Sequence, residues 1–229
     1  MTITSSTLTR VSGVAAVAAG AIFIGVQLNH PQLDVASVNT TEWAVRSSLK
    51  VLMAALALVG ITGMYLHQVK KMGVLGLVGY LLFAANYLVI VSTSFIAAYV
   101  LPSIADTSPS YVRDALAVAS GGHATGDIGL LKTVLLFESV LYLAGGLLFG
   151  IALYRARVLP RWAAALLAVG GGVSAGLSVL PDPYFRLLAF PNGIAMVALG
   201  YSLWLTTRTD TTTQSTTLDT PLLTATGAE

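Results

Sequence analysis

Apolar residues run through this chain in long unbroken blocks, without the alternation of a half-buried strand or the three-to-four spacing of an amphipathic helix. Charged residues mark the block ends. Between Arg10 and Asp34 lie 23 residues free of Asp, Glu, Lys and Arg; Lys50 to Lys70 encloses 19, Lys71 to Asp106 encloses 34, Arg161 to Asp182 encloses 20 and Arg186 to Arg208 encloses 21. Lys132 to Arg155 encloses 22, interrupted once by Glu138. A helix rising about 1.5 Å per residue needs about 20 residues to cross roughly 30 Å of hydrocarbon. The pattern predicts an all-α integral membrane bundle of six transmembrane helices, at about 11–29, 48–68, 74–101, 131–154, 162–180 and 187–205.

The 34-residue block is read as one long helix, because its middle has no turn signal and Pro102 is its natural stop. Glu138 does not bar insertion. A central charge costs about 2.5–3.5 kcal/mol, and the twelve Leu, Ile, Val and Phe residues from Thr133 to Tyr154 each return about 0.3–0.6 kcal/mol. The first block, with the 18-residue run Val11–Leu28, is longer than a usual signal-peptide core and is read as a retained helix.

Basic residues set the expected orientation. Lys70 and Lys71, Arg155, Arg157 and Arg161, and the flanking Arg10 and Arg208 share one side if the chain crosses six times. Both termini are therefore expected in the cytoplasm, with 1–10 as a short cytoplasmic lead. The tail 206–229, which holds eleven Thr, is expected to be disordered.

Two connections carry structure of their own. Asn39 and Glu42 make a capping-box-like start for a second helix beginning near Thr40. Ser108, Pro109 and Gly121 bracket a short helix with Val112, Leu116 and Ala119 on one face.

Composition sharpens the class. The chain is 55% hydrophobic and 10% charged, with mean hydropathy +0.80, too few charges for a water-facing surface. The net charge of +2 gives no reason to expect nucleic acid. The absence of cysteine excludes disulfides, thiolate metal sites and cysteine nucleophiles. His30, His67 and His123 are not spaced for a metal, and no phosphate loop or catalytic signature is present. No cofactor is expected.

Glu138 is the one ionisable residue well inside a block and is a functional candidate on that ground. Asn86, Ile90 and Thr93 share a helical face, and Pro191-Asn192 lies about two turns into the sixth helix. These placements predict an intramembrane polar cluster of Glu138, Asn86, Asn192 and Tyr142. Read blandly, it is interhelical glue worth about 0.6 kcal/mol per bond. Gly146-xxx-Gly150 and Gly172-xxx-Gly176 are small-residue packing faces. They are read first as intramolecular contacts and second as a homo-oligomer or membrane-partner interface.

The segments Gly63–Leu82 and Leu147–Gly171, with the basic loop Val158–Ala164, Leu101–Ala105 and Asn29–Pro31, resemble an uncharacterised family. Its members are multi-pass membrane proteins of high-GC Gram-positive bacteria carrying a domain of unknown function. The resemblance spans Gly13–Leu205 and implies a six-helix plasma-membrane protein, with no activity to carry over. The sequence leaves molecular function unassigned. An accessory or interaction role leads, and an enzyme is disfavoured. A small transporter using Glu138 comes second, and a membrane enzyme acting on lipid or prenyl substrates comes last, since it needs two convergent ionisable groups.

Overall fold

A computed structural model describes residues 4–28, 30–176 and 189–218, and no strand occurs among them. The helices are α1 (Ser5–Gln27), α2 (Val35–Val38), α3 (Thr41–His67), α4 (Val69–Phe95), α5 (Leu101–Ile104), α6 (Pro109–Ala119), α7 (Leu130–Ala156), α8 (Arg161–Gly176) and α9 (Ala189–Leu218). Four of these stretches are long and apolar enough to cross a bilayer: Ser5–Gln27, Thr41–His67, Val69–Ile104 and Leu130–Ala156.

The long helices form a ring in chain order. α1 packs on α3, α3 on α4, α4 on α7, α7 on α8 and α8 on α9, and α9 closes the ring against α1. One end has tight turns. Gln68 leaves helical geometry between α3 and α4, and Arg157 adopts left-handed φ 55° between α7 and α8. The other end carries α2, α5, α6 and the longer connections. These are called the turn end and the loop end.

The ring interior holds Ile61 and Met64 of α3, Phe83 of α4, Phe149 and Leu153 of α7, Leu167 of α8, and Leu199 and Leu203 of α9, all without solvent exposure or nearly so. Glycine sets how closely the helix axes approach. A Cβ on Gly13 would stand 2.7 Å from the Gly200 carbonyl oxygen, and one on Gly145 would stand 2.6 Å from the Phe83 amide nitrogen. The outward faces are apolar as well: Leu81, Leu88, Leu136, Phe137, Val140 and Val169 are exposed. Helices apolar all round suit lipid, not water.

α4 differs from the expected single helix in two places. Gly73, at φ 58° and ψ −163°, separates a basic first turn from the long straight run, which therefore begins at Val74 as expected. At the other end the helix passes Pro102 and stops at Ile104, by way of a π-helical turn over Ile96–Val100. There Leu101 donates its N–H to the Ile96 carbonyl. In that register the Ala97 carbonyl faces Pro102, which has no N–H to give. Trp43 Nε1 supplies the missing donor at 2.8 Å. The proline stop was expected because a helix loses a backbone bond there; a side chain from α3 replaces that bond.

Trp43 also anchors a second apolar cluster at the loop end, with Val38, Leu101, Ala105, Val112, Ala115 and Leu116. α6 occupies the expected residues, but its buried face is Val112, Ala115, Leu116 and Val118, and Ala119 is exposed. Asp114, expected on neither face in particular, is buried and holds the following loop. It accepts from Thr125 N at 3.0 Å, Thr125 Oγ1 at 3.0 Å and Gly126 N at 2.8 Å. The backbone N–H groups of Thr125 and then Gly126 hold its carboxyl below the usual range.

α3 is capped by Thr40, not Asn39: Thr40 Oγ1 accepts from Trp43 N at 3.2 Å. Glu42 turns to Arg46 at 2.8 Å instead of back to the cap. At the far end of the chain, α9 runs on to Leu218, so 206–218 is helical and not disordered backbone. No Gly or Pro interrupts that stretch, and adding a turn to an existing helix costs far less than nucleating one. Residues 219–229 of the expected tail, 177–180 of the fifth expected crossing and 187–188 of the sixth lie outside the described residues.

Candidate functional site

α4 and α7 run antiparallel, which brings Thr93, near the loop end of α4, level with Glu138, two turns into α7. Thr93 Oγ1 donates to Glu138 Oε2 at 2.8 Å. The same hydroxyl lies 3.1 Å from the Val89 carbonyl and 3.3 Å from that of Ile90. One proton faces three acceptors. When Thr93 turns its proton to the backbone, a protonated Glu138 can donate to the threonine oxygen instead. The direction of this bond thus follows the protonation of the carboxyl.

One turn further along α7, Tyr142 OH receives a hydrogen bond from Asn192 Nδ2 of α9. Asn192 is buried and packs on Gly170 of α8, where any Cβ would overlap its carboxamide. Tyr142 stands edge-on to Phe83, with ring centroids 6.0 Å apart, and Phe83 lies 4.8 Å from Tyr87. Asn86 is fully buried, and among the described residues neither its Nδ2 nor its Oδ1 has a hydrogen-bond partner; Asn192 Oδ1 also has none there.

Of the four expected cluster residues, two therefore form a pair and the other two stand apart from it and from each other. Tyr142 and Asn192 bond to each other. Glu138 bonds to Thr93 and to neither asparagine. Asn86 has no hydrogen-bond partner among the described residues. Thr93 shares the Asn86 face, so its position was readable, but its choice of Glu138 depends on the register between α4 and α7.

Lys50 and His30 were not expected here. Lys50, in the third turn of α3, lies within electrostatic range of Glu138. Its Nζ is 3.0 Å from His30 Nε2, while His30 Nδ1 is 2.8 Å from the Pro31 carbonyl. A carbonyl only accepts, so Nδ1 carries the proton and Nε2 offers its lone pair to Lys50. The signal for Lys50 was its place at the edge of a charge-free block, where it reads as a boundary mark.

The small-residue faces are used inside the ring. Gly146 and Gly150 of α7 pack on Gly171 and Ala168 of α8, so they are not open to a partner. On α8 the close contacts come from Gly170 and Gly171. Gly172 meets nothing within 4 Å, and Gly176 is the last residue of the helix. The packing face of α8 is thus one residue away from the expected motif, because which glycine faces α7 depends on helix rotation. Among the described residues no three His, Asp or Glu side chains converge to hold a metal.

No protein-family model matches the chain, and neither a curated protein nor a solved structure matches it significantly.

Proposed function

We propose that the chain is a multi-pass protein of a bacterial plasma membrane, crossing six times with both termini cytoplasmic, and that its role is accessory, exerted on other membrane components through its outer surface. The observation that carries the role is the filled ring interior. Phe83, Phe149, Leu153, Leu167 and Leu199 occupy the middle, and the glycine faces are spent on neighbouring helices. Glu138–Thr93 and Tyr142–Asn192 then act as ties between α4, α7 and α9. α8 and α9 join the count of crossings because these two helices continue the same ring and the sequence around them is charge-free over 162–181 and 187–207.

A second reading, a small transporter with Glu138 as coupling residue, is favoured by the carboxyl of Glu138 lying within an apolar helix against Thr93 and by three buried carboxamide atoms without hydrogen-bond partners among the described residues. Glu138→Gln separates the two. The accessory reading expects proton-dependent uptake by cells or proteoliposomes to be the same with the parent and the variant protein, at normal accumulation. Loss of an uptake activity in the variant alone would establish the transporter.

A further inference from the structure

At the loop end a groove of about 440 Å³ separates α1 from α3. Its volume falls in the range of small-molecule sites, roughly 300–1,000 Å³. The floor is apolar, formed by Ile22 and Val26 of α1 and Val45 and Leu49 of α3. Gly25 keeps it open, since a Cβ there would meet nothing within 4 Å. The rim is charged. Glu42 and Arg46 sit one turn apart at the start of α3, where a bilayer-spanning helix passes from headgroups into hydrocarbon.

The Arg46 guanidinium is nearly but not wholly used. Nε donates to Glu42 Oε1 at 2.9 Å, Nη2 makes an ion-pair contact with the same oxygen at 2.8 Å, and Nη1 donates to the Val26 and Leu28 carbonyls at 3.1 and 2.8 Å. Of five N–H groups, three make these hydrogen bonds, and among the described residues the two on Nη2 make none. Glu42 is half exposed and accepts through Oε1 alone, so Oε2 is available. The rim thus offers one cationic donor and one anionic acceptor side by side, above an apolar trough.

We infer that this groove seats an aminophospholipid, with one acyl chain on the Ile22–Val26–Val45–Leu49 floor, the phosphate on Arg46 and the primary ammonium on Glu42. A purely anionic headgroup would satisfy Arg46 but would meet Glu42 as a like charge. A tertiary or quaternary amine without several N–H donors could not bond Oε2 as well. The two-signed rim therefore selects phosphatidylethanolamine over phosphatidylglycerol. The inference rests on the chain spanning a bilayer.

The test begins with an alkaline carbonate wash of membranes holding the full chain, followed by detergent purification and native mass spectrometry. The protein is titrated with phosphatidylethanolamine or phosphatidylglycerol. Release of the chain by the wash would remove the bilayer reading and the lipid seat together. With the chain retained, the parent should hold phosphatidylethanolamine at least about tenfold better, the weight of one charge-assisted hydrogen bond. Glu42→Gln should erase that preference while lipid still binds. Val45→Trp, at an exposed position that tolerates bulk, should fill the trough and lower binding of both lipids. Equal lipid occupancy in Val45→Trp and the parent, or no headgroup preference in the parent, would overturn the lipid seat and leave the bilayer reading standing.

Discussion

Asn86 buries a whole carboxamide with neither end hydrogen-bonded among the described residues. An unmet buried polar group costs about 1–3 kcal/mol, whereas an apolar group of similar shape costs nothing of the kind. Asn86→Leu should therefore raise the melting temperature of the purified protein, a gain on the order of 1–3 kcal/mol. A fall in melting temperature would mean that the amide is satisfied in the native membrane. Asp114 belongs to the same scale but outside the apolar spans. Its carboxyl is held below the usual range by the Thr125 and Gly126 N–H groups. A depressed folded pKa stabilises the loop above the ordinary carboxylate pKa, and that contribution fades as pH falls through the folded value. Pepsin digestion from about pH 5 to about pH 2 should show the 120–129 loop becoming cleavable only in the lowest part of that range, below about pH 3.9. Asp114→Ala should make the loop cleavable throughout.

At the scale of elements, the prediction concerns how close two helices come. Gly145→Ala forces a methyl against the backbone of Phe83 and should cost about 1–3 kcal/mol, read as a lower detergent melting temperature. Gly172→Ala meets open space and should leave it unchanged or slightly raised. A loss from Gly172→Ala as large as that from Gly145→Ala would contradict the observed rotation of α8. The same contrast shows what could be read beforehand. The extent of α7 was legible, since charges and bilayer depth are both local: 131–154 was expected and Leu130–Ala156 is found, whereas α9 runs past the expected end at 205. Interhelical register was not legible. It decides that Thr93 reaches Glu138, that Gly171 and not Gly172 meets Gly146, and that Trp43 meets the carbonyl left open by Pro102. None of these is encoded within one helix. Lys50 was misread for a related reason, because a charge at a span edge looks the same whether it faces water or turns to a neighbouring helix end, as Lys50 turns to His30.

For the whole molecule, the proposed topology has a direct check. Reporter fusions after His67 and Arg157 should give cytoplasmic signals, and a fusion after Asp127 should not. A cytoplasmic signal at Asp127 would invert the assignment drawn from the basic turns. The prediction concerns the bilayer and not the bundle, since the ring of helices is the same in either orientation.

Because α1 finds its last neighbour in α9, assembly has a built-in delay. The Gly13 and Gly20 face of α1 must wait for Gly200 and Gly193, about 180 residues downstream. At 5–20 residues per second that is roughly ten to forty seconds of synthesis. For that interval the nascent chain offers lipid, or a chaperone within the membrane, a flat small-residue strip that the finished protein hides.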